Sequence, residues 1–269
     1  MAEQDTKVND ELLLNSPKLT EFFKTVAGLT TFSLQFFKNV FVPPFEFNEI
    51  KKHMVELGIK TLPIVTVTGF IIGLVLTMQS QPVMQRFGAE YFLPSMVALS
   101  VIRELGPVIT ALIFAGRVSS GIGAELGSMR VTEQIDAMEV SAIHPYKYLV
   151  VTRILACTFI MPIITMYVDF LAILGGYIAI ALSTGINFQL YIDSAFKSLV
   201  FGDFIPPFLK TFIFGFIVGA VGSYKGYNAD NGTVGVGKAS TTSVVVSSLL
   251  ILLCDMVIVK LSIWLWPTT

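Results

Sequence analysis

Val101–Pro145 reads VIRELGPVITALIFAGRVSSGIGAELGSMRVTEQIDAMEVSAIHP. Its first part is an apolar helix with Arg103 and Glu104 inside it. From about Gly121 to Ala142 the chain turns polar but keeps helical spacing, with Ile122, Leu126 and Met129 and then Val131, Ile135 and Met138. That pattern predicts a membrane span leading into an amphipathic helix outside the bilayer. Surface-seeking helices carry lysines on their polar face. This one carries Glu125, Arg130, Glu133, Asp136 and Glu139. An acidic helix is repelled by an anionic leaflet, so a protein partner suits it better than lipid.

The rest of the chain agrees with a membrane setting. Of 269 residues, 54% are hydrophobic and 14% charged, and the mean hydropathy is +0.73. A soluble domain of this size is not so apolar. A span needs about 20 apolar residues. Blocks of that length occur at about 61–83, 92–116, 149–181, 206–224 and 241–266. The expected fold is therefore an all-α integral membrane protein with five transmembrane helices in residues 61–266. The helix at about 121–142 lies between the second and third spans. Gly69 and Gly73 suit close helix packing in the first span, and Trp264 and Trp266 suit an interfacial belt.

Residues 1–15 are polar and read as a mobile amino terminus without a signal peptide. Residues 16–60 read as an interfacial helix and a charged connector. Ser16-Pro17 is a helix start, and Leu19, Phe22, Phe23, Val26, Leu29, Phe36 and Phe37 then form an amphipathic, aromatic face. Five spans put the termini on opposite sides. Lys7, Lys18, Lys24, Lys38, Lys51, Lys52 and Lys60 weight the amino-terminal side, as do Arg117, Arg130, Lys147 and Arg153. The opposite side has Arg86 and Lys197, with Lys210 close by. The positive-inside rule then makes the amino terminus cytoplasmic and the carboxyl terminus external.

Several chemistries are disfavoured. A net charge of −1 gives no reason for nucleic-acid binding. Cys157 and Cys254 lie in apolar runs and read as packing residues. His53 and His144 have no partner at metal-ligand spacing. Gly232–Lys238 imitates a phosphate-binding loop, but Ala239 follows where that loop needs a hydroxyl. Ionisable residues inside spans are costly, at about 2.5–3.5 kcal/mol each on insertion scales, and so usually carry function. Arg103, Glu104, Asp169 and Asp255 are the candidates. Adjacent helical residues point about 100° apart, so one of Arg103 and Glu104 is expected to face a cavity and the other a neighbouring helix. Asp169 and Asp255 read as structural partners or as relay groups. Gly106-Pro107 directly afterwards suggests a hinge. If the four ionisable groups formed a relay, the chain would be an ion-coupled secondary transporter.

With these residues in view, the chain resembles the MlaE-type permeases, the membrane subunits of bacterial MCE-associated lipid ABC transporters. The stretch from Arg103 to Pro145 carries most of the likeness, supported by Gly73–Gln79 and Lys238–Leu250. The resemblance implies a homodimer in the bacterial inner membrane. It also implies two cytoplasmic ATPase subunits that bind the ATP and Mg, a periplasmic ring of MCE-domain proteins, and a phospholipid cargo. No cofactor or catalytic residue is implied in this chain itself. The coupling helix would be the segment with Glu125, Glu133, Gln134, Asp136 and Met138. Arg103 and Glu104 would lie near a lipid cavity, with Leu76, Gln79, Val83, Met84 and Phe87 of the first span lining it. The carboxyl terminus would be periplasmic.

Overall fold

A computed structural model describes residues 17–265 apart from 44, 198 and 231. The mobile terminus expected at 1–15 and Trp266 lie outside the described residues. The described residues are mostly helical, with no strand among them. Five helices are long and apolar enough to cross a membrane.

The chain divides between Phe45 and Glu46. Before that point lies α1 (Pro17–Asn39), which exposes Phe23, Val26, Leu34 and Phe37. Its Thr30 and Thr31 hydroxyls donate to carbonyls one turn back.

The larger unit consists of α2 (Phe47–Arg86), α3 (Glu90–Val131), α4 (Gln134–Val140), α5 (Tyr146–Thr184), α6 (Phe188–Lys197), α7 (Phe201–Tyr227) and α8 (Thr233–Leu265). The charged connector expected at 46–60 is instead the first part of α2. There Lys52 pairs with Glu49 and Lys60 with Glu56, at one-turn spacings that support a helix. The single helix expected at about 121–142 is divided. α3 continues from the second span through Gly121 to Val131, the chain bends at Thr132–Glu133, and α4 follows. The short α6 between the third and fourth spans was not anticipated.

Backbone contact at small residues sets the packing. A Cβ placed on Gly73 would overlap the Ala172 carbonyl, and one on Gly175 the Phe70 carbonyl, so α2 and α5 touch main chain to main chain. Gly222 of α7 approaches Ser119 of α3 in the same way. Across α3 and α8, Ser119 meets Ser247 at 2.9 Å and Ser120 meets Ser240 at 2.8 Å. The Ser243 hydroxyl donates to the Ser119 carbonyl at 3.0 Å. These serines satisfy one another where lipid offers no partner. α5 ends at Gly185, whose φ of +70° is the left-handed cap that glycine adopts freely.

Two apolar cores result. One gathers Phe114, Ile122, Leu126, Ile135, Met161 and Phe214 from α3, α4, α5 and α7. The other joins Leu93, Val97 and Val101 to Ala172, Ile180 and Tyr191. Tyr191 fixes α6, with its hydroxyl donating to the Ile173 carbonyl at 3.1 Å.

Candidate functional site: a buried charge network joined to a bent lever

Arg103 and Glu104 sit in a π-helical turn, Val101–Leu105. Pro107 explains its position, because it has no N–H to give the preceding turn. The Gly106 N–H reaches back to the Val101 carbonyl instead, widening the helix by one residue. Such turns often mark functional positions. The widened turn presents the two side chains to different partners.

Arg103 of α3 grips Asp203 at the start of α7, with Nε 2.9 Å from Oδ1 and Nη2 on the same oxygen. The other carboxylate oxygen of Asp203 accepts the Val200 N–H at 2.9 Å. Glu104 turns to Lys210 of α7, whose ammonium lies 2.7 Å from Glu104 Oε2 and 2.9 Å from Asp255 Oδ1 of α8. Lys210 is buried, with a side-chain exposure of 2%, whereas Glu104 retains 43%. One ammonium thus ties α3, α7 and α8 together at membrane depth. A buried cation is tolerated where its partners make good hydrogen bonds.

Asp255 is therefore a partner of Lys210, and neither Asp255 nor Asp169 pairs with Arg103. Asp203 and Lys210 were missed as network members, and Lys210 is not near an exposed end of its helix but enclosed. A signal was available. Lys210 is the one charged residue between Asp203 and Lys225, and acids such as Glu104 and Asp255 inside apolar runs require a cation.

Further along α3, Glu125 accepts from Arg153 of α5 at 2.7 Å, and Arg153 also donates to the Leu149 carbonyl at 2.8 Å. Past Val131 the chain bends through Glu133, which has a left-handed φ of +58°. Arg130 closes the bend on Asp136 at 2.6 Å, and Gln134 donates to Thr132. Ile135 is fully buried and Met138 packs against the same core, so α4 is pinned from below. Glu133, Gln134 and Asp136 face outward. The five residues of the first span divide. Leu76 and Met84 pack against the second core, while Gln79, Val83 and Phe87 are exposed.

Gly232–Lys238 opens α8 rather than following a strand, and Lys238 pairs with Asp230 at 3.4 Å. The described residues hold no group of His, Cys, Asp and Glu suited to a metal, and both cysteines are free.

The sequence profile of the family described as Permease MlaE matches residues 50–261. The chain belongs to the MlaE permease family. Its relatives in that family include a probable ABC transporter permease protein of Rickettsia typhi. That protein is 37% identical over 255 residues, covering 93% of this chain and 98% of the relative. A probable ABC transporter permease protein of Synechocystis is 34% identical, covering 76% and 78%. The intermembrane phospholipid transport system permease protein MlaE of Haemophilus influenzae is 33% identical, covering 79% and 82%. The match spans the charge network, the bend and all five membrane-length helices, while α1 lies before it.

Proposed function

We propose that this chain is the non-catalytic membrane subunit of an ABC transporter that moves phospholipid or a related lipid between the inner membrane and a periplasmic MCE-protein ring. It acts as a homodimer over two cytoplasmic ATPase subunits, with its amino terminus cytoplasmic and its carboxyl terminus periplasmic. The phospholipid in the name of the Haemophilus relative supports the cargo. The observation that carries the reading is the unbroken α3. From Gly106 to the bend at Glu133 it stays helical through a π-turn at Ala115–Ser119, over about 40 Å at about 1.5 Å per residue. A push on the exposed acids of α4, which Arg130 ties across the bend to α3, is delivered along this helix to the π-turn that carries the charge network.

Lipid as cargo explains why the machine spends ATP. Releasing a two-chain lipid into water exposes about 30 methylenes at roughly 0.8 kcal/mol each, on the order of 25 kcal/mol. The route must therefore shelter the chains throughout. Glu125, Glu133, Gln134, Asp136 and Met138 form the ATPase contact. Arg103 and Glu104, with the first-span residues from Leu76 to Phe87, border the lipid path. Salt bridges to Arg103, Glu104 and Asp255 occupy three of the four groups that an ion relay would use, which weighs against a gradient-driven carrier.

The test is charge reversal at Glu133 and Asp136 in the purified complex. The dimer should persist while lipid-stimulated ATP hydrolysis falls at least tenfold. Undiminished stimulation in the double variant overturns the assignment of α4.

A further inference from the structure

Asp169 stands apart from the other buried acids. Arg103 and Lys210 supply two positive charges, and Glu104, Asp203 and Asp255 already supply three negative ones. The network is one cation short before Asp169 is counted. Asp169 Oδ1 is buried with no hydrogen-bond partner, and it lies so close to Gly106 that a Cβ there would collide with it. The network groups on the packed elements are already committed. On α7, the Lys210 ammonium is held by two carboxylates. On α3, Arg103 is committed to Asp203 and Glu104 to Lys210. On α8, Asp255 is committed to Lys210 as well. α2 has no charged residue between Lys60 and Arg86.

Two features surround this carboxyl. On one side is the π-turn, where Pro107 leaves a carbonyl of the preceding turn without its helical donor. On the other is a cavity of about 310 Å³, walled by Ile102, Pro162, Met166, Phe208 and Leu209 along with Asp169. Met166 and Leu209 at its rim are exposed, so within the two spans the cavity opens toward lipid. An ionised carboxylate here would face the Gly106 backbone and hydrocarbon without a hydrogen-bond donor, and isolated charges in such surroundings neutralise themselves. A carboxylic acid meets the same surroundings without an uncompensated charge.

We propose that Asp169 is a proton-binding site, whose carboxylic acid rests against Gly106 at the end of the π-turn and opens on this cavity. Loss of the proton puts negative charge against the turn that carries Arg103 and Glu104. The hinge between network and lever then loosens.

Dicyclohexylcarbodiimide is the probe. A protonated carboxyl adds across its N=C=N bond using its own proton, with no leaving group, and an ion-paired carboxylate does not. In membranes containing the assembled complex, mass spectrometry should find the adduct at Asp169. It should be at least tenfold weaker at Glu104, Asp203 and Asp255, and lost in Asp169→Asn. Labelling of the paired acids with none at Asp169 overturns the proposal. This measurement needs neither ATP nor lipid, so it stands or falls separately from the transport reading.

A second measurement rests on that reading. ATP-driven lipid transfer by the unmodified complex should slow as pH rises, since alkali removes the proton. In Asp169→Asn, a permanent neutral mimic, the profile should be flat. Superimposable profiles overturn the proposal. If the Asn variant fails to assemble, Asp169→Glu, which keeps a titrating group one methylene further out, should shift the profile. An unshifted Glu profile overturns it equally.

Discussion

The Lys210 ammonium lies 2.7 Å from Glu104 Oε2, and almost all of the lysine is enclosed while much of the glutamate is not. The asymmetry determines what each substitution leaves behind. Lys210→Met strands Glu104 and Asp255 together at membrane depth with no cation between them. The expected cost is about 3–5 kcal/mol, the usual range for breaking a buried pair. Thermal unfolding of the detergent-solubilised protein should show it, and the triple change with Glu104→Gln and Asp255→Asn should recover most of the loss. No recovery would mean that the lysine acts through packing of its methylenes.

Much of this architecture is legible in the sequence because charge is so sparse. No charged residue falls between Lys60 and Arg86, so a span there needs no tertiary information. The network was only half legible. Arg103 and Glu104 announce themselves inside an apolar run. Asp203 and Lys210 sit beside Pro206-Pro207, where a chain normally meets the interface, and only three-dimensional packing encloses them. The continuity of α3 rests on packing. Gly116, Gly121 and Gly123 look like breakers, yet Gly123 is needed for close approach to Ser243 and Ala239 of α8. Helix packing in a membrane uses the residues that weaken helices in water.

The backbone contact between α2 and α5 should be intolerant of a single methyl group. At Gly73 the added Cβ meets the Ala172 main chain, which cannot swing aside as a side chain would. Gly73→Ala should therefore cost about 3 kcal/mol or more, at or above the upper end for overpacking. Gly116→Ala meets nothing within 4 Å and should be neutral or mildly stabilising, by up to about 1 kcal/mol. Size-exclusion profiles and melting temperatures of the two variants make the comparison, and equal behaviour would count against the α2–α5 contact.

Glu133 separates backbone from charge. Its left-handed conformation costs a non-glycine residue about 1–2 kcal/mol. Its carboxylate makes no ion pair among the described residues. Glu133→Gly should keep the bend and raise stability by about 1 kcal/mol, yet reduce stimulation of the ATPase as strongly as Glu133→Lys does. Both are read by melting and by ATP hydrolysis in the assembled complex. If Glu133→Gly leaves stimulation intact, the bend matters and the charge does not.

Arg153 and Glu125 invert the usual expectation that either half of an ion pair is equally costly to remove. The arginine side chain is 4% exposed and the glutamate 56%. Arg153→Met leaves a carboxylate that water can reach, and the loss should be that of hydrogen bonds to a charged group, about 1.5–3 kcal/mol. Glu125→Ala leaves a guanidinium enclosed, with its Nε already lacking a partner and only the Leu149 carbonyl to hold it. That single truncation should therefore cost more than Arg153→Met, although it removes the more exposed residue. The double variant should lie closer to Arg153→Met than to the sum of the two, because the stranded cation is gone. Chemical denaturation of the three variants under one set of conditions gives the ranking, and additive losses would mean that the two side chains do not sense each other.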